Sequence, residues 1–163
     1  MTRAGIAEII RTAEISPCGR YRYRLERRWT PGLGLLLPFI MLNPSTADGT
    51  VDDPTIRRCM GFALREGYHG IVVGNLYAFR ATKPSDLRKA AFPFGPDNHQ
   101  ALSRIIAETD QFVCAWGAGT WEPLPAAVEA ALRKKGMCLG RTSHGHPRHP
   151  LYVRADQPLE PWP

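Results

Sequence analysis

The chain has 163 residues, of which 44% are hydrophobic and 22% charged, a balance typical of one folded, water-soluble domain covering residues 1–163. Its apolar runs fall far short of the ~20 residues that a membrane span needs, and its N-terminal region carries acids and arginines rather than a signal peptide. We therefore expect a cytoplasmic protein without a membrane partner. The net charge of +6 favours a polyanionic partner such as DNA, although many basic proteins bind no nucleic acid.

Two segments near the start of the chain, residues 6–15 and 20–29, predict a β-hairpin. They flank the turn-forming stretch Ser16-Pro17-Cys18-Gly19, and the second segment alternates with a period of two residues. That alternation predicts a half-exposed strand whose arginines all lie on the solvent face. These arginines are either simply solvated or contact a nucleic acid. The pair Pro31-Gly32 then predicts a turn.

The apolar run over residues 35–42 predicts a central strand that is buried on both faces. It stops at Asn43-Pro44-Ser45, and the loop that begins there continues to Pro54. Pro54 suits the first position of a helix, with Asp53 as its N-cap and Gly67 just after its end.

The rest of the chain alternates strands and helices. Strands are predicted at 70–76, 111–116 and 137–140, with a short helix from Ser85, a longer helix after Asp97 and another over 122–135. The tail, residues 141–163, is rich in His, Pro and Gly and is predicted to be irregular. Alternating elements indicate βαβ units. We therefore expect an α/β fold: a three-layer α/β/α sandwich with a mostly parallel central sheet and the N-terminal β-hairpin at its edge.

Four groups of polar and aromatic residues lie just beyond the predicted strand ends, where ligands bind in open α/β sheets. Because the carboxyl ends of parallel strands share one edge, we expect these groups to meet in one pocket. The sequence contains no P-loop, no dinucleotide-binding fingerprint and no Gly-x-Ser-x-Gly elbow. The four groups are Asn43-Pro44-Ser45, Asn75 with Tyr77, Phe79 and Arg80, Trp116-Gly117, and residues 144–151.

Each group also has a plainer interpretation. Asn43 is a common turn-forming residue, and Asn75 can be a structural amide that bonds to neighbouring backbone. The three histidines of residues 144–149 suggest a metal site by composition, but they lie in a Pro/Gly-rich loop without a familiar zinc spacing. Histidines that grip phosphate or stabilise negative charge are the favoured interpretation.

In their order along the chain, these groups resemble the motifs of the uracil-DNA glycosylase superfamily. The stretch Met41-Leu42-Asn43-Pro44-Ser45 resembles the water-activating motif in its Asn-Pro version, and Val73-Gly74-Asn75 resembles the strand end that reads the base. Residues 112–117 are similar to Phe-Leu-Leu-Trp-Gly with one extra residue, and residues 146–151 to an expanded His-Pro-Ser-Pro-Leu. The pattern that begins with Leu42-Asn43-Pro44-Ser45-Thr46-Ala47-Asp48 also resembles a bacterial and phage family of unknown function.

The resemblance implies a DNA glycosylase, an enzyme that hydrolyses the N-glycosidic bond of a damaged or modified base flipped out of DNA. Asn43 would hold the water through its side-chain oxygen, and His146 or His149 would donate to the departing base. No cofactor, bound metal or obligate protein partner is implied. The candidate carboxylates for assisting as a base are Asp48, Asp52 and Asp53. The implied substrate-binding residues are Pro44, Ser45, Asn75, Tyr77, Phe79, Arg80, Trp116 and Arg148.

Two residues depart from the superfamily's usual pattern. Asn43 stands where an aspartate is usual, and an amide activates water weakly. Ser45 replaces a tyrosine that excludes bulky bases, which opens the pocket. Two alternatives therefore stay open: a non-catalytic module that binds nucleic acid or a nucleotide through the same pocket, and a metal-dependent hydrolase that uses the histidine loop.

Overall fold

The apolar run that follows residue 35 forms the middle strand of a seven-stranded sheet. In the computed structural model, which describes residues 8–29, 34–45 and 47–163, this strand, β3, spans Leu36–Met41 and is buried along its whole length. It pairs in parallel with β4 (Gly70–Asn75) and with β5 (Phe112–Cys114). A strand covered on both faces reads as a continuous apolar run. The predicted central strand is therefore confirmed.

The sheet is mixed, with three parallel and three antiparallel pairings. The parallel strands lie together in the order β4-β3-β5-β6, with β6 at Gly136–Cys138. The predicted hairpin is confirmed at one edge as β1 (Ile10–Ile15) and β2 (Arg22–Arg28). The expectation of a mostly parallel sheet is not confirmed, because antiparallel strands flank the parallel ones on both sides.

In the described residues, four helices pack against this sheet: α1 (Pro54–Arg65), α2 (Pro84–Lys89), α3 (Asn98–Ala107) and α4 (Ala126–Lys135). Side chains of α1 share one core cluster with Leu37 and Phe39 of β3, whereas α3 and α4 share another with Ile40. Successive side chains of a strand point to opposite faces. Both faces of β3 therefore contribute to a hydrophobic core.

Helix α1 begins as its sequence predicts. Pro54 occupies its first turn, and the Asp53 side chain accepts a hydrogen bond from the Ile56 N–H at 2.8 Å. Gly67 follows the helix with a φ of +83°, a conformation that favours glycine. Because this N-cap fixes where the helix starts, it also fixes the position of the loop between β3 and α1.

Two expectations need correction, and a third cannot be compared. The tail is not wholly irregular: it contains a 3₁₀ helix at Pro150–Tyr152, and β7 (Glu160–Pro161) pairs with β6. The arginines of β2 do not all lie on the solvent face, since Arg22 and Arg27 are 2% and 0% exposed. Strand β2 is an inner strand, between β1 and β4, so its side chains are covered. The predicted turn at Pro31-Gly32 lies outside the described residues.

Candidate functional site

A cavity of about 370 Å³ lies where β3 and β4 end, on the face of the sheet that α1 covers. It lies within the size range of small-ligand sites. Its walls include residues from all four predicted groups: Asn43, Pro44, Ser45, Asn75, Trp116 and His149. The expectation that these separate segments share a pocket is therefore met for these six residues.

Asn43 is oriented by two hydrogen bonds from its side-chain amide. Its Nδ2 donates to the Ala81 carbonyl at 2.8 Å and to the Pro44 carbonyl at 3.0 Å. The Ala81 N–H in turn donates to the Pro44 carbonyl at 2.9 Å, which ties the loop after β3 to the segment after β4. With the amide nitrogen engaged in this way, Oδ1 is the atom of Asn43 that can accept a hydrogen bond from a ligand or a water.

Asn75 is the last residue of β4 and is only 1% exposed. Neither its Oδ1 nor its Nδ2 has a hydrogen-bonding partner among the described residues. Asn75 lies on the same face of β4 as Val73, two residues earlier, and both line the cavity. A buried amide without partners costs free energy. The side chain therefore offers one acceptor and two donors to whatever occupies the cavity.

Asp53 serves the helix and the cavity together. One carboxylate oxygen accepts the α1 cap bond, and the other accepts a hydrogen bond from the Ser45 hydroxyl at 3.0 Å. The bond to the Ile56 N–H confirms the predicted cap. Both Ser45 and Asp53 line the cavity, so the cavity contains a carboxylate.

Arg22 is a cavity residue that the sequence pattern did not reveal. Its Nη1 donates to the Ala47 carbonyl at 2.8 Å, while its buried Nε has no partner among the described residues. Burial lowers the pKa of Arg22 to about 10, against the attraction of Asp53, so the side chain stays charged at neutral pH. The register shift between Glu14 and Ile15, opposite this residue, breaks the alternation on which the sequence prediction depended.

His149 is the histidine that lines the cavity, whereas His146 does not. Its Nδ1 accepts a hydrogen bond from the Leu151 N–H at 3.2 Å, which caps the 3₁₀ helix. Burial lowers the pKa of His149, and the nearby Asp53 opposes that shift only in part. A neutral imidazole with Nδ1 as acceptor carries its proton on Nε2, so His149 presents an N–H donor.

A family model matches residues 22–151, which include every cavity residue discussed above. The chain belongs to the DUF1643 family. The family is described as proteins of unknown function. Searches of curated proteins and of solved structures found no match. The resemblance to a bacterial and phage family of unknown function thus corresponds to a family match over most of the chain, and that match assigns no activity.

Two of the carboxylates considered as catalytic in this DUF1643 protein lie elsewhere. The Asp48 carboxylate accepts the N–H groups of Thr50 and Val51, each at 2.8 Å, and these bonds lower its pKa. The Asp52 carboxylate bonds to the buried Arg27 at 2.6 Å and to Arg11 at 3.0 Å. Neither aspartate lines the cavity. The Asp48 contacts indicate that it shapes the β3–α1 loop, whereas those of Asp52 join this loop to the hairpin.

Four of the implied substrate-binding residues also lie outside the cavity. Tyr77 is buried in the core cluster of α3 and α4, where its ring stacks on Trp121 at 4.3 Å. Phe79 and Arg80 line a neighbouring compartment, and Arg148 donates to the Arg141 carbonyl at 2.9 Å. The sequence placed all four after strand ends, but side-chain direction depends on packing that short motifs do not encode.

Across the described residues, no group of three or more His, Cys, Asp or Glu side chains is arranged to hold a metal ion. The three histidines of residues 144–149 therefore supply no three-ligand donor set there. Within the same residues, no helix of this DUF1643 protein has the length and apolar character to cross a membrane.

Proposed function

We propose that this DUF1643 protein is a DNA glycosylase-like hydrolase, acting on a damaged or modified base that is flipped out of DNA. The observation that carries the proposal is that Asn43, Asn75 and His149, from three distant segments, line one cavity. They are the positions that resemble the water-holding, base-reading and anion-stabilising residues of the uracil-DNA glycosylase superfamily. The net charge of +6 supports a nucleic-acid partner.

The reaction needs a water on one side of the sugar and stabilisation of the base on the other. The water adds to the sugar carbon as the N-glycosidic bond breaks, and the bonding electron pair leaves with the base. Asn43 Oδ1 would hold this water, and the Asp53 carboxylate would take its proton. An amide cannot serve as a base, so Asp53 is the carboxylate of this site that supplies one.

The departing base gains negative charge, which other residues that line the cavity can stabilise. His149 would donate its Nε2–H, and the buried Arg22 adds a positive charge. Asn75 would read the base edge, using donors and an acceptor that no described residue satisfies. A donor in a preorganised, dry site contributes more than the same donor in water.

Features at the cavity mouth support a flipped base. Ser45, half-buried, leaves space where the superfamily usually has a tyrosine, which favours bulky or modified bases. Leu151 and Tyr152 line the cavity and are 45% and 76% exposed. Apolar side chains at such a rim can occupy the gap that a flipped base leaves in the stack.

A binding module on the same fold is the second candidate. It is favoured by the engagement of both Asp53 carboxylate oxygens, one with the α1 cap and the other with Ser45. Those bonds compete with proton transfer from water. A module of this kind would bind the same base in the same cavity without releasing it.

Two further features support proposals about the fold and the compartment. A three-layer α/β/α arrangement is supported by the division of the helices between two core clusters, α1 in one and α3 with α4 in the other. A cytoplasmic location is supported by the four cysteines, which are all free thiols.

Product analysis separates the enzyme from the binding module. The protein would be incubated with DNA oligonucleotides carrying uracil, mismatched bases and bulky modified bases, and abasic sites would be revealed by alkaline cleavage. We expect cleavage with one class of base and loss of cleavage in Asn43→Ala. Retained binding with no abasic product from any base would reject the glycosylase and favour the module.

A further inference from the structure

A second, larger compartment of about 820 Å³ adjoins the candidate cavity. It lies between the turn of the hairpin, the segment after β4, and helix α2. Ser45, Ala81 and Thr82 line both spaces, so the two are separated only by the strip of chain that these residues form. The hydrogen bonds between Asn43, Pro44 and Ala81 build that strip. A ligand that leaves the cavity over Ser45 therefore enters the second compartment.

The second compartment carries more positive than negative charge. Arg20 and Arg80 line it, and neither pairs with a carboxylate in the described part of the chain. Among the described residues that line it, the one carboxylate is that of Asp86, which lies between Lys83 and Lys89 along the chain. Arg80 is held in place because its N–H donates to the Arg20 carbonyl at 2.8 Å and its Nη1 to the Gly19 carbonyl at 3.3 Å.

Uncharged groups of the compartment complement a sugar as well as a phosphate. The hydroxyl group of Thr82 can donate to a phosphate or a sugar oxygen. Phe79, packed edge-on against Tyr21 with the ring centres 6.0 Å apart, offers an apolar wall. Guanidinium groups that lack a carboxylate partner are well suited to bind phosphate.

We propose that this compartment binds the sugar and phosphate of the nucleotide adjacent to the one whose base enters the cavity, with Arg20 and Arg80 on the phosphate. The ligand is then a strand of at least two nucleotides rather than a free base or nucleoside. This inference rests on the proposed function only in that a nucleotide occupies the cavity. It holds for an enzyme and for a binding module alike.

The test uses a single-stranded DNA 11-mer with a central tetrahydrofuran abasic analogue. This position has phosphates on both sides but carries no base. Binding by fluorescence anisotropy would be compared for the wild type, Arg20→Gln/Arg80→Gln, and the control Arg133→Gln/Arg154→Gln. The control removes the same charge from exposed residues that line neither compartment. Arg20→Gln alone, at an exposed position, guards against an effect of misfolding.

We expect the Arg20/Arg80 double variant to bind about 10-fold more weakly than the control, with Arg20→Gln between them. For this variant, the slope of log affinity against log salt concentration should become shallower by roughly 0.7 for each lost phosphate contact. Equal affinity of the two double variants, or no binding by the wild type, would overturn the inference. If the Arg20/Arg80 variant binds weakly but no abasic product forms from any base, the phosphate-binding role of the compartment is supported and the glycosylase is rejected. If abasic product forms but the Arg20/Arg80 variant binds as tightly as the control, the glycosylase is supported and the phosphate-binding role of the compartment is rejected.

Discussion

Asn75 and Asn98 are two buried amides of this protein with different local roles. Asn98 donates through Nδ2 to the carbonyls of Asn75 and Leu76 at 2.8 and 3.2 Å. The side-chain atoms of Asn75 have no partner among the described residues. Unsatisfied buried groups at ligand sites are a stability cost that serves binding. Asn98 Oδ1 also lacks a partner among the described residues, but only Asn75 has both side-chain polar atoms unpaired. This difference supports the proposal that Asn75 is a functional rather than a structural amide.

This contrast predicts opposite effects of one substitution. Asn75→Leu should raise the free energy of unfolding by about 1 kcal/mol, because it replaces unsatisfied polar atoms by apolar atoms of similar shape. Asn98→Leu should lower it by about 2 kcal/mol, because two buried carbonyls lose their donor. Urea unfolding of both variants measures the difference. A loss of stability in Asn75→Leu as large as in Asn98→Leu would show that Asn75 is structural.

The imidazole of His149 should titrate below its usual value of about 6.5, because burial lowers its pKa. Below that pH the unfolded chain binds more protons than the folded chain, so stability should fall as the pH falls. Nuclear magnetic resonance titration and thermal unfolding between about pH 6.5 and 5 measure both effects. In His149→Asn, which keeps a side-chain acceptor for the Leu151 N–H, this part of the pH dependence should disappear. A midpoint at or above 6.5 would contradict the buried, neutral imidazole.

Asp52 should matter for folding rather than for chemistry. Burial opposes its ionisation, but the bonds from Arg11 and Arg27 lower the pKa of Asp52 overall. Its contribution is therefore present above about pH 3.9 and is lost as the pH falls through the lower, folded-state pKa. Asp52→Asn should cost about 3 kcal/mol near pH 7, because Arg27 stays buried without its counter-charge.

Chemical unfolding measures that cost against a surface control. Asp156 pairs with Arg154 at the surface, with side chains 74% and 87% exposed, so Asp156→Asn should change the free energy of unfolding by less than about 0.5 kcal/mol. If Asp52→Asn keeps its stability but loses activity, the catalytic role that the sequence suggested for Asp52 would be restored.

At the scale of elements, helix α1 holds the C-terminal turn that carries His149. Arg58 donates through Nε to the Pro150 carbonyl at 3.2 Å and through Nη2 to the Val153 carbonyl. Arg65, two turns later on the helix, donates to the carbonyls of Ala155 and Gln157. Both arginines also lie over the Phe62 ring. The position of the histidine thus depends on a helix far from it in sequence.

Arg58→Gln should release the turn without removing any cavity residue. We expect the pKa of His149 to return towards about 6.5 and the rate of base release to fall about 10-fold, because small displacements of a catalytic group are costly. Arg65→Gln is the matched control, since it breaks tail contacts farther from His149. Unchanged titration of His149 in Arg58→Gln would show that the turn is held by other contacts.

The elements that the sequence predicts best are those with a local signal. The buried strands β3 and β4 are continuous apolar runs, and α1 starts with a capping aspartate and a proline. Strand β7 was missed because two residues that include a proline show no periodicity. The burial of Arg22 and Arg27 was missed because it follows from the inner position of β2, which is a property of the assembled sheet.

At the scale of the whole molecule, the site is a consequence of strand order. Strands β3 and β4 are neighbours and end level with each other, with Met41 opposite Asn75. Their polar continuations therefore meet, as the sequence predicted. The selection among candidates could not be predicted, because Asp53 rather than Asp52, and His149 rather than His146, line the cavity through packing between distant segments.

The most direct test of the central claim is the single-turnover rate of base release. It would be measured on the oligonucleotide that yields abasic product among those carrying uracil, mismatched or bulky modified bases. We predict that Asn43→Ala, Asn75→Leu and His149→Gln each slow release by more than about 100-fold, since each removes a group proposed to hold the water, read the base or stabilise its charge. His146→Gln, outside the cavity, should stay within about 3-fold of the wild type. Wild-type rates in the three cavity variants, or a loss in His146→Gln alone, would contradict the assignment of this cavity as the active site.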